Sequence, residues 1–260
     1  MSLTTEETFM FDLEGYLVVK NVLCKNEVDE LNTLADEAFP GAYDESNFRR
    51  TAWISKWGPK FQALIDRPRI IPYLIGLLGQ QFRIDHDYCI FMRKGSKAGR
   101  LHGGPRMQLG SGSPGDHWYA YHDGIIRNGL TVFTYCLNPV KSGDGGFCCI
   151  PGTHKTNCLK NLPADVRMFD RAAHYVVQPE VEAGDVIIFT EALVHGTMAW
   201  TADYERRALL YKYSPGHSSW SGNYYNPDEY TDVSDQLRRI MTPPSIGERE
   251  KSVEEMLKNG

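Results

Sequence analysis

Between about residues 83 and 213 the chain is cut into short runs rich in β-branched and aromatic residues, and this punctuation limits its fold more than any other feature. The runs are FRIDHDYCIFMRK, LTVFTYCLNPV, GGFCCIPGTH, HYVVQPEV, GDVIIFTEALVHGT and RRALLYKYS, parted by Gly, Pro, Asp and Asn. Such strands are too short to bury a face alone, so several of them must close into a sandwich or barrel. The flanks read differently. NEVDELNTLADEAF, residues 26–39, sets Val28, Leu31, Leu34 and Phe39 at helical spacing, and RIIPYLIGLLGQQF predicts a second helix interrupted near Pro72. Beyond Ser221 the chain turns polar, with helices expected in DVSDQLRRIM and EREKSVEEMLKN. No repeat or linker divides the 260 residues, so the expectation is one domain: a helix-rich flank over 1–82, a barrel over 83–216 and a polar C-terminal flank.

Charge narrows the partners. A net charge of -5 with no dense Lys/Arg block disfavours nucleic acid or an anionic membrane and favours a small-molecule substrate. The N-terminus carries no apolar signal core, and no run of about 18 apolar residues occurs. The six cysteines form no CxxC pair, and several lie in apolar runs, so they read as free thiols in a reducing, cytoplasmic setting. Oligomeric state leaves no mark in the sequence.

Chemistry gathers at the end of the strand region. In GDVIIFTEALVHGT an apolar strand ends in Glu191 and then His195, followed at once by Gly196. A histidine at the lip of a barrel strand can face the cavity while the glycine leaves room for a ligand. Eleven residues later Arg206 opens an otherwise apolar strand, where a guanidinium needs an anion and suits a carboxylate. Taken alone His195 is an ordinary strand residue; with Arg206 at that spacing it becomes a ligand candidate.

These segments, with FDLEGYLVVKNVLCKNEVDELN near the start, CIFMRKGSKAGRLHGG and above all GDGGFCCIPGTHK, resemble the phytanoyl-CoA dioxygenase type of iron(II)/2-oxoglutarate oxygenases. The resemblance spans most of the chain. It implies a double-stranded β-helix, a jelly-roll or cupin-like barrel with flanking helices. It implies Fe(II), 2-oxoglutarate and O2 as cofactor and cosubstrates. His102 and His195 would hold the metal, Arg206 would anchor the cosubstrate's far carboxylate, and Thr197 and Tyr135 would contact the cosubstrate. His154 reads as a loop residue, and His86 and His174 as ordinary strand histidines. The implied reaction is oxidation, in first place hydroxylation, of a C–H bond of a small molecule, with succinate and CO2 released.

One position departs from the family. Gly104 stands where its metal-binding Asp belongs, and no histidine here has an acid two residues on. Three accounts stay open. A carboxylate from the following loop, Asp116 or Asp123, reaches the metal; or two histidines hold it beside a vacancy filled by water or chloride, as in non-haem iron halogenases; or catalysis is lost and a jelly-roll binding pocket remains. The loop itself, with Trp118, Tyr119 and Tyr121, and the later rings Trp220, Tyr224 and Tyr225, offer stacking surfaces for a substrate.

Overall fold

The computed structural model describes residues 3–107, 109, 117–247 and 249–253. In chain order the elements are α1 (Thr5–Glu14), β1 (Tyr16–Val19), α2 (Lys25–Ala38), β2 (Phe48–Ala52), α3 (Pro59–Gln62), α4 (Ile71–Leu78) and β3 (Arg83–Met92). They continue as β4 (Tyr119–His122), β5 (Ile125–Asn128), β6 (Thr131–Cys136), β7 (Gly146–Ile150), α5 (Ala164–Arg167), β8 (Val186–Thr190), β9 (Val194–Met198), β10 (Arg206–Ser214) and α6 (Asp235–Met241).

Six strands make an antiparallel sheet in the order β1-β8-β6-β10-β3-β2, and β7 pairs with β9 opposite it. This is a jelly roll, the double-stranded β-helix that the strand punctuation and the resemblance imply. The N-terminal flank is more than helical, because it supplies both edge strands of the large sheet. Pro72 does not interrupt α4: it sits in the first turn, where a missing N–H leaves no hydrogen bond unmade. HYVVQPEV forms no strand; its backbone pairs with the barrel only through isolated bridges at Val177 and Val181. Residues 249–253 are not helical, and the rest of the helix expected over 248–259 lies outside the described residues.

Side-chain alternation sorts each strand between two cores. Cys89, Phe91, Phe133, Ile188, Leu209 and Tyr211 join the helices in one cluster. Tyr88, Met92, Val132, Phe189, Ala208 and Leu210, from the opposite parity, pack with Phe147 inside the barrel. With both faces covered, the strands read as nearly continuous apolar runs. On the helix side Tyr135, Tyr211 and Tyr213 donate their hydroxyls to the carbonyls of Leu64, Phe61 and Ile65 at 2.7–2.8 Å, satisfying a turn whose backbone has no sheet partner.

The pairing of β10 with β3 slips between Lys212 and Tyr213, leaving Asp85 without an opposite residue. The freed carboxylate accepts from Arg83 and from the backbone N–H groups of Trp220 (2.9 Å) and Ser221 (3.1 Å), and it meets His86 Nδ1 at 2.6 Å. Burial pushes Asp85 up, but His86, Trp220 and Arg83 outweigh it and hold the carboxyl at about 2. This bulge fixes the segment that carries Trp220 to the barrel.

Candidate active site

A cavity of about 370 Å³ opens between the two sheets, and His102, His195, Thr197 and Arg206 all line it. The two histidines are placed by backbone. His102 lies beside β9 and exchanges both hydrogen bonds with His195, N–H to carbonyl at 2.8 and 2.9 Å. Their rings stand 4.3 Å apart between centroids. Two imidazoles on one metal at roughly right angles place ring centres roughly 4.5 Å apart, given ~2.1 Å bonds, so the spacing suits a shared ion.

Tautomers follow from the partners. His102 Nδ1 meets the carbonyl of Arg100 at 3.0 Å, and His195 Nδ1 meets that of Leu193 at 2.8 Å. A carbonyl only accepts, so each Nδ1 carries the proton and each Nε2 presents a lone pair. Burial, with His102 alongside, lowers His195 to about 3 and keeps it neutral.

Arg206 is 5% exposed, and among the described residues its guanidinium finds only Met92 Sδ, at 3.5 Å. Burial pulls its pKa below the ordinary arginine value. Gly146, at φ 79°, makes the space: a Cβ there would stand 2.7 Å from Arg206 Nε. A buried guanidinium without an acid partner among the described residues is a site for an anionic ligand.

Tyr135 is a correction. It shares the parity of Phe133, so its ring lies among the helices and its hydroxyl is spent on Leu64; Thr134, one residue earlier, lines the cavity instead. The expected loop carboxylates also fail where they can be placed. His122 and Asp123 occupy the β4–β5 hairpin, with side chains 88% and 86% exposed. Asp123 (φ 50°) and Gly124 (φ 79°) form its two-residue turn, as an Asp-Gly pair does between antiparallel strands. Asp116 lies outside the described residues. Neither Gly103 nor Gly104 lines the cavity. A Cβ at Gly104 would point to Leu159, 2.4 Å from its Cδ1, so a side chain there enters an apolar cluster.

Three cavity residues went unassigned in the sequence: Glu191, Lys212 and His117. Lys212 Nζ lies 2.5 Å from Glu191 Oε1, while Oε2 stands 3.3 Å from His117 Nε2 and 3.7 Å from His195 Nε2. Burial would raise Glu191, but Lys212, His195 and His117 hold it well below the usual carboxylate range. Parity was the available signal, since Glu191 follows Phe189 and Lys212 follows Arg206 and Leu210 on inward positions. Trp220 closes one side, its ring 5.0 Å from that of His117. Among the described residues no three His, Cys, Asp or Glu side chains already stand as a metal cluster.

Comparison with known proteins agrees with this fold. The family model Phytanoyl-CoA dioxygenase (PhyH) matches residues 113–208. "Dioxygenase af480" of Aspergillus fumigatus is 23% identical over 250 residues, spanning 90% of this chain and 75% of the relative. HygX from Streptomyces hygroscopicus, solved with nickel and 2-oxoglutarate bound, superposes with a TM-score of 0.73 at 26% identity over 84% of this chain and 89% of its own. The carbocyclase SnoK from nogalamycin biosynthesis shares the fold, with a TM-score of 0.65 at 18% identity over 95% and 94% of the two chains. By its motifs, its barrel and these relatives, the chain is similar to the phytanoyl-CoA dioxygenase type of iron(II)/2-oxoglutarate-dependent oxygenases.

Proposed function

We propose that the chain is a single oxygenase domain in which His102 and His195 hold iron(II), Arg206 binds the far carboxylate of 2-oxoglutarate, and a C–H bond of a small molecule is oxidised, in first place hydroxylated. The observation that carries this reading is the buried Arg206, without an acid partner among the described residues, in the same cavity as two converging imidazole lone pairs. The donor set suits a borderline metal ion, and the guanidinium suits a dicarboxylate. Bound iron(II) with 2-oxoglutarate and O2 supplies the oxidising chemistry, which releases succinate and CO2. The protein's own groups position it: each Nδ1–H contact fixes an imidazole, and Thr197 lines the path between His195 and Arg206.

HygX has also been solved with hygromycin B bound, which supports a small organic substrate of comparable kind. Six unpaired cysteines support a reducing, cytoplasmic setting, and no helix among the described residues is long and apolar enough to cross a membrane. Chloride has little support, because a side chain at Gly104 points away from the cavity and so the glycine is no measure of a vacancy. The test is iron-dependent conversion of 2-oxoglutarate to succinate by the purified protein without added substrate. Conversion that needs iron, and is lost in His195→Ala, is expected; conversion indifferent to both would overturn the reading.

A further inference from the structure

We propose that Glu191 supplies the third protein ligand of the metal, the carboxylate that Gly104 cannot give. This rests on the two-histidine site proposed above. Among the described residues lining the cavity Glu191 is the sole acid. It is 4% exposed and stands at the end of β8 on the inward parity of Phe189.

Its two oxygens are divided. Lys212 takes Oε1 at 2.5 Å, leaving Oε2 to face His195 Nε2 at 3.7 Å. Because His195 donates through Nδ1 to Leu193, that Nε2 presents a lone pair. A carboxylate oxygen and a lone pair thus face each other with no proton between them, an arrangement that a cation relieves. Two ligand atoms on one first-row metal stand about 3 Å apart, so a closure of roughly 0.7 Å brings Oε2 into the coordination shell. Lys212 on Oε1 and His117 on Oε2 are the outer contacts that orient a ligating carboxylate.

The sequence spacing gives this site a different order from the His-x-Asp pattern. The carboxylate precedes the distal histidine by four residues instead of following the proximal one by two. Gly103 belongs to the same arrangement: a Cβ there would stand 2.9 Å from the Glu191 carbonyl and 2.6 Å from that of Leu193, so the histidine-bearing segment lies against the backbone that presents Glu191.

Cobalt(II) binding by calorimetry, with the visible spectrum of the cobalt protein, tests this without turnover. Glu191→Gln, and the pair Glu191→Gln with Lys212→Met to avoid an uncompensated lysine, are expected to weaken cobalt binding about 100-fold or more and to change the spectrum. If the folded double variant binds cobalt within about threefold of wild type, with the same spectrum, Glu191 is only the counter-ion of Lys212 and the proposal falls. A wild-type protein that binds no cobalt, or that binds as well after His195→Ala, would instead remove the two-histidine site on which the proposal stands.

Discussion

Placing an aspartate at residue 104, where the family likeness leads one to expect a metal-binding acid, is expected to damage this protein rather than complete its site. Gly104 has φ 85°, and moving an ordinary side chain into that region costs roughly 1–2 kcal/mol. The new Cβ would stand 2.4 Å from Leu159 Cδ1, a contact that rotation of the leucine relieves. The carboxyl then enters an apolar cluster that includes Leu101, Ile150, Leu159, Val166 and Val194. Even protonated, an unpaired polar group there costs about 1–3 kcal/mol more. The sum, roughly 2–5 kcal/mol, is a large part of the stability of an ordinary domain. Urea unfolding followed by circular dichroism measures it, with Gly104→Ala separating backbone strain from the carboxyl. A Gly104→Asp protein of wild-type stability that binds cobalt more tightly would refute the reasoning, since it would show the side chain reaching the metal.

Three further outcomes are expected. Arg206→Ala should raise the 2-oxoglutarate concentration for half-maximal turnover about 10- to 150-fold, the equivalent of one charge-assisted contact, while cobalt affinity moves by less than about threefold; equal losses in both would make Arg206 structural. Tyr135→Phe should cost about 1 kcal/mol by stranding the buried Leu64 carbonyl, yet leave the 2-oxoglutarate KM unchanged, which steady-state kinetics and thermal unfolding check together. Asp85, held at about 2 in the folded protein against an ordinary value near 4, should contribute roughly 2 kcal/mol that is complete above pH ~4 and is lost as pH falls towards 2. Unfolding measured across that range should show this loss in the wild type and lack it in Asp85→Asn.

Much of the barrel was legible because strand length and turn chemistry are local properties. Six runs announced strands, and five of them hold strands in the structure. HYVVQPEV failed because apolar composition does not provide a neighbour: its backbone meets the barrel only at two isolated bridges. Phe48–Ala52 escaped notice because two of its five residues are arginines, and it becomes a strand only through the edge of β3. Spacing pointed to His195 and Arg206 and the family likeness to His102, and the structure sets all three on one cavity. Tyr135 was misplaced where parity, counted from Arg206 through its pairing partners, would have turned it outward. Glu191 was hidden for a different reason. The acid that the family likeness implies belongs beside the first histidine, in the loop that follows His102, while the cavity acid stands 89 residues away beside the second.

The bulge at Asp85 bears on how the enzyme chooses what it accepts. One carboxylate, buried in a strand of the large sheet, receives the backbone of Trp220 and Ser221 and thereby makes one side of the cavity part of the barrel's own cooperative unit. The backbone of that wall is held in place: moving it would take two donors from an ionised, buried aspartate, at about 1.5–3 kcal/mol for each bond to the charged group. Selection on that side therefore works by preformed shape. A substrate that fits finds the indole already in place and gives up no ordering entropy to bring it there, while one too bulky meets its clash in full, with no soft element to absorb it.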